Sequence, residues 1–204
     1  MRSTPFGHIL RLLVVMSATL PMLASAQTDR FADVVVTETQ VTEGLWMLQG
    51  AGGNIALLVT EGGLLMVDDQ YAPLAERIEA KVRQLAGTAP RFVLNTHFHG
   101  DHTGGNPFFG RSGTIVAHEN VRTRLLAGAM EAQGLPVVTY ADRVRLHLDA
   151  ETVDVLHAPS GHTDGDSFVF FREANAVQLG DQLFNGRFPY VDMQSGGSVE
   201  GLVT

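Results

Sequence analysis

The sequence predicts a mixed α/β (α+β) domain, and three observations carry that expectation. Short apolar runs broken by glycine lead the chain, and hairpin patterns close it. Between them, helix-spaced segments alternate with further apolar runs, the order of a sheet with helices on its faces. A dense histidine–aspartate cluster follows one of those runs directly, where open α/β sheets keep their sites. With 204 residues and 45% hydrophobic content, the chain is long enough for one globular domain with a real core.

The first element is a targeting segment over residues 1–26. Arg2 and Arg11 supply positive charge, Leu12 to Leu20 is apolar, Pro21 breaks it, and Ala24-Ser25-Ala26 has the small residues of a cleavage site. Cleavage is expected after Ala26, leaving a domain over 27–204 that is periplasmic or secreted. The apolar run is too short for a membrane span, so no membrane association is expected after cleavage.

Val34 to Val41 alternates weakly, as an edge strand does. Leu45 to Leu48, Asn54 to Thr60 and Leu64 to Val67 follow, separated by Gly50-Ala51-Gly52-Gly53 and Gly62-Gly63. They read as an antiparallel meander with tight turns. The Gly50 to Gly53 run lacks the Lys-Ser/Thr ending of a phosphate loop and reads as a hairpin turn, a flap at the mouth of a site. Pro73 opens a helix through Ala86, with Leu74, Ile78, Val82 and Leu85 on one face and Gly87 as its stop. Arg91 to Leu94 and Thr114 to Ala117 are short buried strands, and His118 to Met130 is helical with Val121, Leu125 and Leu126 inward. Val144 to Leu148 and Thr152 to Leu156 pair around Asp149-Ala150, and Ser167 to Phe171 pairs with Ala176 to Leu179 around Asn175.

The chemistry centres on Asn95-Thr96-His97-Phe98-His99-Gly100-Asp101-His102. Histidine and carboxylate are metal ligands, and His97 and His99, two apart, point the same way in an extended segment. Gly100 frees the backbone to turn, so Asp101 and His102 can face a shared centre; Asp101 is also placed to cap a helix running toward Phe108. Two further segments follow apolar strands: Ser160-Gly161-His162-Thr163-Asp164-Gly165-Asp166 and Gly180-Asp181. Strands side by side in one sheet would gather all three loops. His97, His99 and His162 then hold one zinc and leave its fourth position open, Asp101 and His102 start a second site, and Asp181 bridges the two. Asp101 is the candidate catalytic residue, orienting water or carrying a proton to a leaving group.

The chain has no cysteine, so any metal is held by nitrogen and oxygen, which suits one or two Zn²⁺ ions best, with iron or manganese as rivals. The formal charge is −8, and removal of Arg2 and Arg11 would take it to −10; no basic run suggests nucleic acid. The expected partner is a small-molecule substrate, and nothing in the sequence specifies an oligomeric state. His118 is expected at the surface or capping a helix, His147 facing solvent, and His157 packed at a strand end. Asp164 and Asp166 are expected as supporting or capping groups. Phe184, Phe188 and Tyr190 are expected in the core rather than in a pocket.

The set His97-Phe98-His99-Gly100-Asp101-His102, Gly161-His162-Thr163 and Gly180-Asp181 resembles the metallo-β-lactamase-fold hydrolases across nearly all of residues 27–204. The resemblance implies an αββα sandwich with a mono- or dinuclear zinc site at one edge of its two sheets. It implies that His97, His99 and His162 bind the first zinc, Asp101 and His102 the second, with Asp181 bridging. Asp68 would orient a ligand histidine. The bridging aspartate is closer to the glyoxalase II branch than to several class B β-lactamases. Family members add a second-zinc histidine and further strands and helices beyond the Asp181 position, whereas no histidine follows His162 here. By this resemblance the chain is a C-terminally truncated, partial domain, and the expected activity is hydrolysis of a β-lactam, lactone or thioester. A di-iron oxidoreductase relative and a non-catalytic metal-binding remnant are the alternatives.

Overall fold

The computed structural model describes residues 29–203, so the predicted targeting segment lies outside the described residues. Strands β1 (Thr37–Thr42), β2 (Leu45–Gln49), β3 (Ile55–Thr60) and β4 (Gly63–Val67) form the expected antiparallel meander. Strands β5 (Phe92–Asn95), β6 (Thr114–His118) and β7 (Val138–Tyr140) then add in parallel, giving a seven-stranded sheet in chain order. Parallel pairing requires crossovers. Helix α1 (Ala75–Ala86) joins β4 to β5, short helices α2 (Gly100–Thr103) and α3 (Asn106–Phe109) join β5 to β6, and α4 (Glu119–Ala127) leads from β6 to β7. Strand β7 is not expected from the sequence: three residues at a sheet edge, with Val138 well exposed, leave no periodic signal.

β4 explains how the layers stack. All four residues from Leu64 to Val67 are buried, because both faces of the strand are covered. Leu64 and Met66 meet Ile78 and Val82 of α1, with Leu48, Ile55, Leu57 and Ile115 beside them. Leu65 and Val67 face the other way, into a cluster with Leu58, Leu94, Val116, Val153, Val155, Val169 and Phe171. Each such side chain contributes about 1.5–3 kcal/mol by leaving water. α1 starts behind a 3₁₀ turn at Ala72–Leu74 containing Pro73 and stops at Gly87, whose φ of 72° no helix continues.

The second sheet supplies the far wall of that cluster. Its strands β8 (Arg143–Leu148), β9 (Glu151–Ala158), β10 (Asp166–Phe171) and β11 (Ala176–Gln178) are antiparallel in the order β11-β10-β9-β8. The expected turn residues Asp149 (φ 52°) and Asn175 (φ 50°) sit in the left-handed region that Asp and Asn tolerate. The outer face of this sheet carries Leu156, Phe170 and Val177 open to solvent around Asp154, which pairs with Arg145 and Arg172. The fold is thus the expected sandwich of helices and two sheets.

Three local expectations change. Leu126 faces solvent, because Val121 and Leu125 alone fall on the buried side of α4. Asp101 does not cap a helix toward Phe108; the helical stretch breaks into α2 and α3, and Asp101 lies inside the first turn of α2, after His99. Phe188 (96% exposed) and Tyr190 (61%) are not core, because they sit on an irregular segment past β11 that has no sheet face to bury against.

Candidate metal centre

The predicted site residues lie on the connections at one end of both sheets, Asp101 and His102 within α2 and Asp181 in a 3₁₀ turn. They do not come from neighbouring strands of one sheet: β5 belongs to the first sheet, β9 and β11 to the second, and the sandwich brings their ends together. Asp68, just past β4, anchors the arrangement at φ 64°, and Gln70 follows at φ 57°. Left-handed backbone at two nearby non-glycine residues is the kind of strain that sites hold in place by packing. The Asp68 side chain is fully buried. Its Oδ1 accepts from the Thr96 N–H, and its Oδ2 accepts from Thr96 Oγ1 and His102 Nδ1, each at 2.8 Å.

His97 Nε2 lies 3.1 Å from His99 Nδ1, which lies 2.9 Å from His162 Nε2. Three inward nitrogens this close pose a question of protons, and their outer partners answer it. Thr96 Oγ1 gives its proton to Asp68, so at 3.2 Å it accepts from His97 Nδ1–H. His162 Nδ1–H donates to the Tyr190 carbonyl at 2.7 Å. His99 Nε2–H donates to Asp192 Oδ2 at 3.0 Å. Every proton is held outside, and three lone pairs face one another. That donor set repels itself unless a cation sits among it, so the residues fit a metal.

A second group, His97, His102 and Asp181, has its donor atoms within 4.8 Å of one another. Since His102 Nδ1–H donates to Asp68, His102 Nε2 points inward; it is buried with no hydrogen bond of good geometry, although Asp181 Oδ1 lies 3.1 Å away. Asp181 Oδ2 is 3.7 Å from His162 Nε2, so this carboxylate stands between the two groups. Burial lowers the His102 pKa, but the Asp68 charge, the Asp68 hydrogen bond and the adjacent Asp181 carboxylate outweigh it and raise the value to about 10. Burial likewise raises Asp181, and the His102 hydrogen bond together with nearby imidazole charges holds it below the ordinary range. Burial, then the neighbouring imidazoles, push His97 well down. Positive charge is thus favoured at His102, between Asp68 and Asp181, and disfavoured at His97.

Residues 48–200 match the pattern of the family described as the metallo-beta-lactamase superfamily. The chain belongs to that superfamily. A hydroxyacylglutathione hydrolase from Synechococcus is 31% identical over 60% of this chain and 49% of its own length. An atrochrysone carboxyl ACP thioesterase from Claviceps purpurea is 28% identical over 78% of this chain and 51% of its own. The chain thus spans about half the length of these relatives, which are hydrolases by name. Among solved structures, a metallo-beta-lactamase from Pontibacter korlensis superposes with a TM-score of 0.71 at 15% identity, covering 82% of this chain and 81% of that one. A subclass B3 metallo-beta-lactamase of Bradyrhizobium japonicum gives 0.59 at 19% identity, covering 73% and 62%. At such identities these structures speak for the shared fold.

Within this superfamily fold, the remaining site residues sort by position. Asp101 stands at the rim, its Oδ2 3.8 Å from His102 Nε2 and outside both compact groups. It lines a cavity of about 550 Å³ with His102, Asp181, Phe184 and Arg187. The Gly50 to Gly53 turn is no free flap: the Gly53 N–H donates to the Asp101 carbonyl at 3.2 Å, and Gln70 Nε2 holds the Gly53 carbonyl at 2.6 Å. A Cβ at Gly53 would lie 2.1 Å from His102 Cε1, so only glycine passes there. His118 caps α4, its Nδ1 accepting from the Asn120 N–H, yet it is buried rather than at the surface. His157 packs as expected, its ring stacked on His118 at 3.7 Å, and His147 faces solvent. Asp164 pairs with Arg124, and Asp166 accepts from Thr163 N and Oγ1 and from Gln182. Asp166 therefore ties the His162 loop to the Asp181 turn, and burial raises its pKa.

Sequence reading passed over Thr96, the Tyr190 carbonyl and Asp192. Thr96 sits inside the motif, but its relay between His97 and Asp68 depends on contact across β4 and β5. Asp192 left one usable trace. Asp192-Met193-Gln194-Ser195 followed by Gly196-Gly197 is a turn signature, and the Asp192 Oδ1 does accept from the Ser195 N–H at 3.1 Å.

Proposed function

We propose that the chain is an exported zinc-dependent hydrolase that cleaves an acyl bond in a small molecule, a thioester foremost, with lactones and β-lactams as the neighbouring classes. The observation that carries this reading is the set of three imidazole lone pairs facing one another with their protons held outside. The bridging position of Asp181 and the thioester-cleaving names of the two relatives support the thioester over the β-lactam. Zinc, when bound, would polarise the acyl carbonyl and make water acidic enough to attack near neutral pH. His97, His99 and His162 would hold the first ion, and His102 and Asp181 the second, sharing the space beside His97. Asp101, at the cavity rim, would orient the attacking water and hand a proton to the leaving group. The cavity beside it admits the substrate.

The test is metal analysis of purified protein followed by assay of a hydroxyacylglutathione thioester, a lactone and a chromogenic cephalosporin. Thioester turnover abolished by chelator and restored by zinc is the expected result. No turnover of any of the three by zinc-loaded protein would overturn it, and iron in place of zinc would point to the oxidoreductase relative. Export rests on Arg2, Arg11, the apolar run and Ala24-Ser25-Ala26; amino-terminal sequencing of the mature protein should begin at Gln27.

A further inference from the structure

We propose that Asp192 is a positioning residue for the three-histidine group, holding the His99 imidazole with Nδ1 turned toward His97 and His162. This rests on the metal-site reading above. His97 and His162 are buried on all sides, whereas the His99 side chain keeps 23% of its surface exposed. It is the one imidazole of the three that packing does not lock. Its outer nitrogen meets a carboxylate oxygen of Asp192 at 3.0 Å, and a carboxylate only accepts. The proton is therefore kept on Nε2, and the lone pair on Nδ1 faces inward.

Asp192 is itself held from several directions. Its N–H donates to the His162 carbonyl at 2.9 Å, and its carbonyl accepts from the Ser195 and Gly197 N–H groups. The Ser195 carbonyl accepts from the Asp164 N–H at 3.0 Å, and both Asp164 oxygens take a fork from Arg124 at 2.7 Å. Arg124 lies over the Phe98 ring, and Phe98 packs on His99. A closed circuit thus runs from His99 through Asp192, Ser195, Asp164, Arg124 and Phe98 back to His99. The same short segment presents the Tyr190 carbonyl to His162. One stretch of chain past Asp181 thereby fixes the proton position on two of the three imidazoles.

A purely local role, capping the Met193–Ser195 turn through Oδ1, is the competing account. Asp192→Asn separates the two. Asparagine caps such turns about as well as aspartate, but its amide donates toward His99 Nε2 and drives the proton to Nδ1, into the metal group. The full chain is titrated with zinc against a chromogenic chelator, its cobalt-substituted absorption spectrum is recorded, and the metal-free unfolding midpoint is measured. D192N should bind the first ion about 10- to 100-fold more weakly, with an altered cobalt spectrum and an unchanged metal-free midpoint. Affinity within twofold of the parent with an unchanged spectrum would overturn the proposal and leave the metal-site reading standing. So would a weakened affinity matched by an equal fall in the metal-free midpoint. A parent chain that takes up no stoichiometric zinc would overturn both.

Discussion

Asp68→Asn puts the site's anchor under test with almost no change of shape. The wild-type side chain is fully buried and accepts three hydrogen bonds at 2.8 Å, two of them on Oδ2. Asparagine tolerates the φ of 64° as aspartate does, so the backbone contributes little to the change. Its oxygen can keep the Thr96 N–H, but its amide group then faces Thr96 Oγ1 and His102 Nδ1. Two buried bonds to a charged acceptor are lost or reversed, each worth about 1.5–3 kcal/mol. Metal-free D68N should therefore be about 3–6 kcal/mol less stable in urea, followed through the single Trp46. Loss of the Asp68 charge also favours a neutral His102 whose proton sits on Nε2, toward Asp181, rather than on Nδ1. The His97–His102–Asp181 group should then lose affinity for zinc by about 10- to 100-fold, more than the three-histidine group does. A stability change under about 1 kcal/mol, or unchanged binding of a second ion, would refute the role assigned to Asp68.

Gly53→Ala should cost several-fold in affinity of the second ion, since the added methyl lands 2.1 Å from the buried His102 ring; parent-like zinc titration would show that the ring yields. The pH dependence of the metal-free protein follows from His102, raised from 6.5 to about 10. A histidine raised in the folded state stabilises fully below its unfolded value and loses that contribution as pH climbs through the folded one. Metal-free protein should thus lose on the order of 5 kcal/mol as pH climbs from below 6.5 to above 10, and a flat denaturation profile over that window would sink the assignment. His99→Ala should empty the three-histidine group while His147→Ala leaves zinc content alone; equal metal in both variants would contradict the ligand set.

Much of this was legible because the fold's strong signals are local. The continuous apolar runs of β3 and β4 and the spacing of Ile78 and Val82 report burial directly, and Asp149 and Asn175 report their turns. The clustering of His97, His99, Asp101 and His102 is equally local. What stayed hidden depends on contact between distant segments. No spacing rule says that Gly53 must slip past His102, or that Asp192 reaches His99 across 93 positions of chain. The exposure of Phe188 and Tyr190 is hidden for a related reason: aromatic residues near a motif look like core, whereas the packing face they need lies elsewhere. The two-sheet origin of the loops was hidden too, because strand order within a sheet is set by pairing partners rather than by the strands themselves.

The absence of cysteine takes on another meaning once the sandwich is seen. Many folded domains are riveted by sulfur bridges, and the residues of this sequence offer none. His99 and His162, 63 positions apart and borne by opposite sheets, meet at 2.9 Å. An ion gripped there would act as a removable rivet across a long loop. The durability of the folded protein would then follow the free-metal level of its surroundings, and removal of the ion would loosen the seam between the sheets.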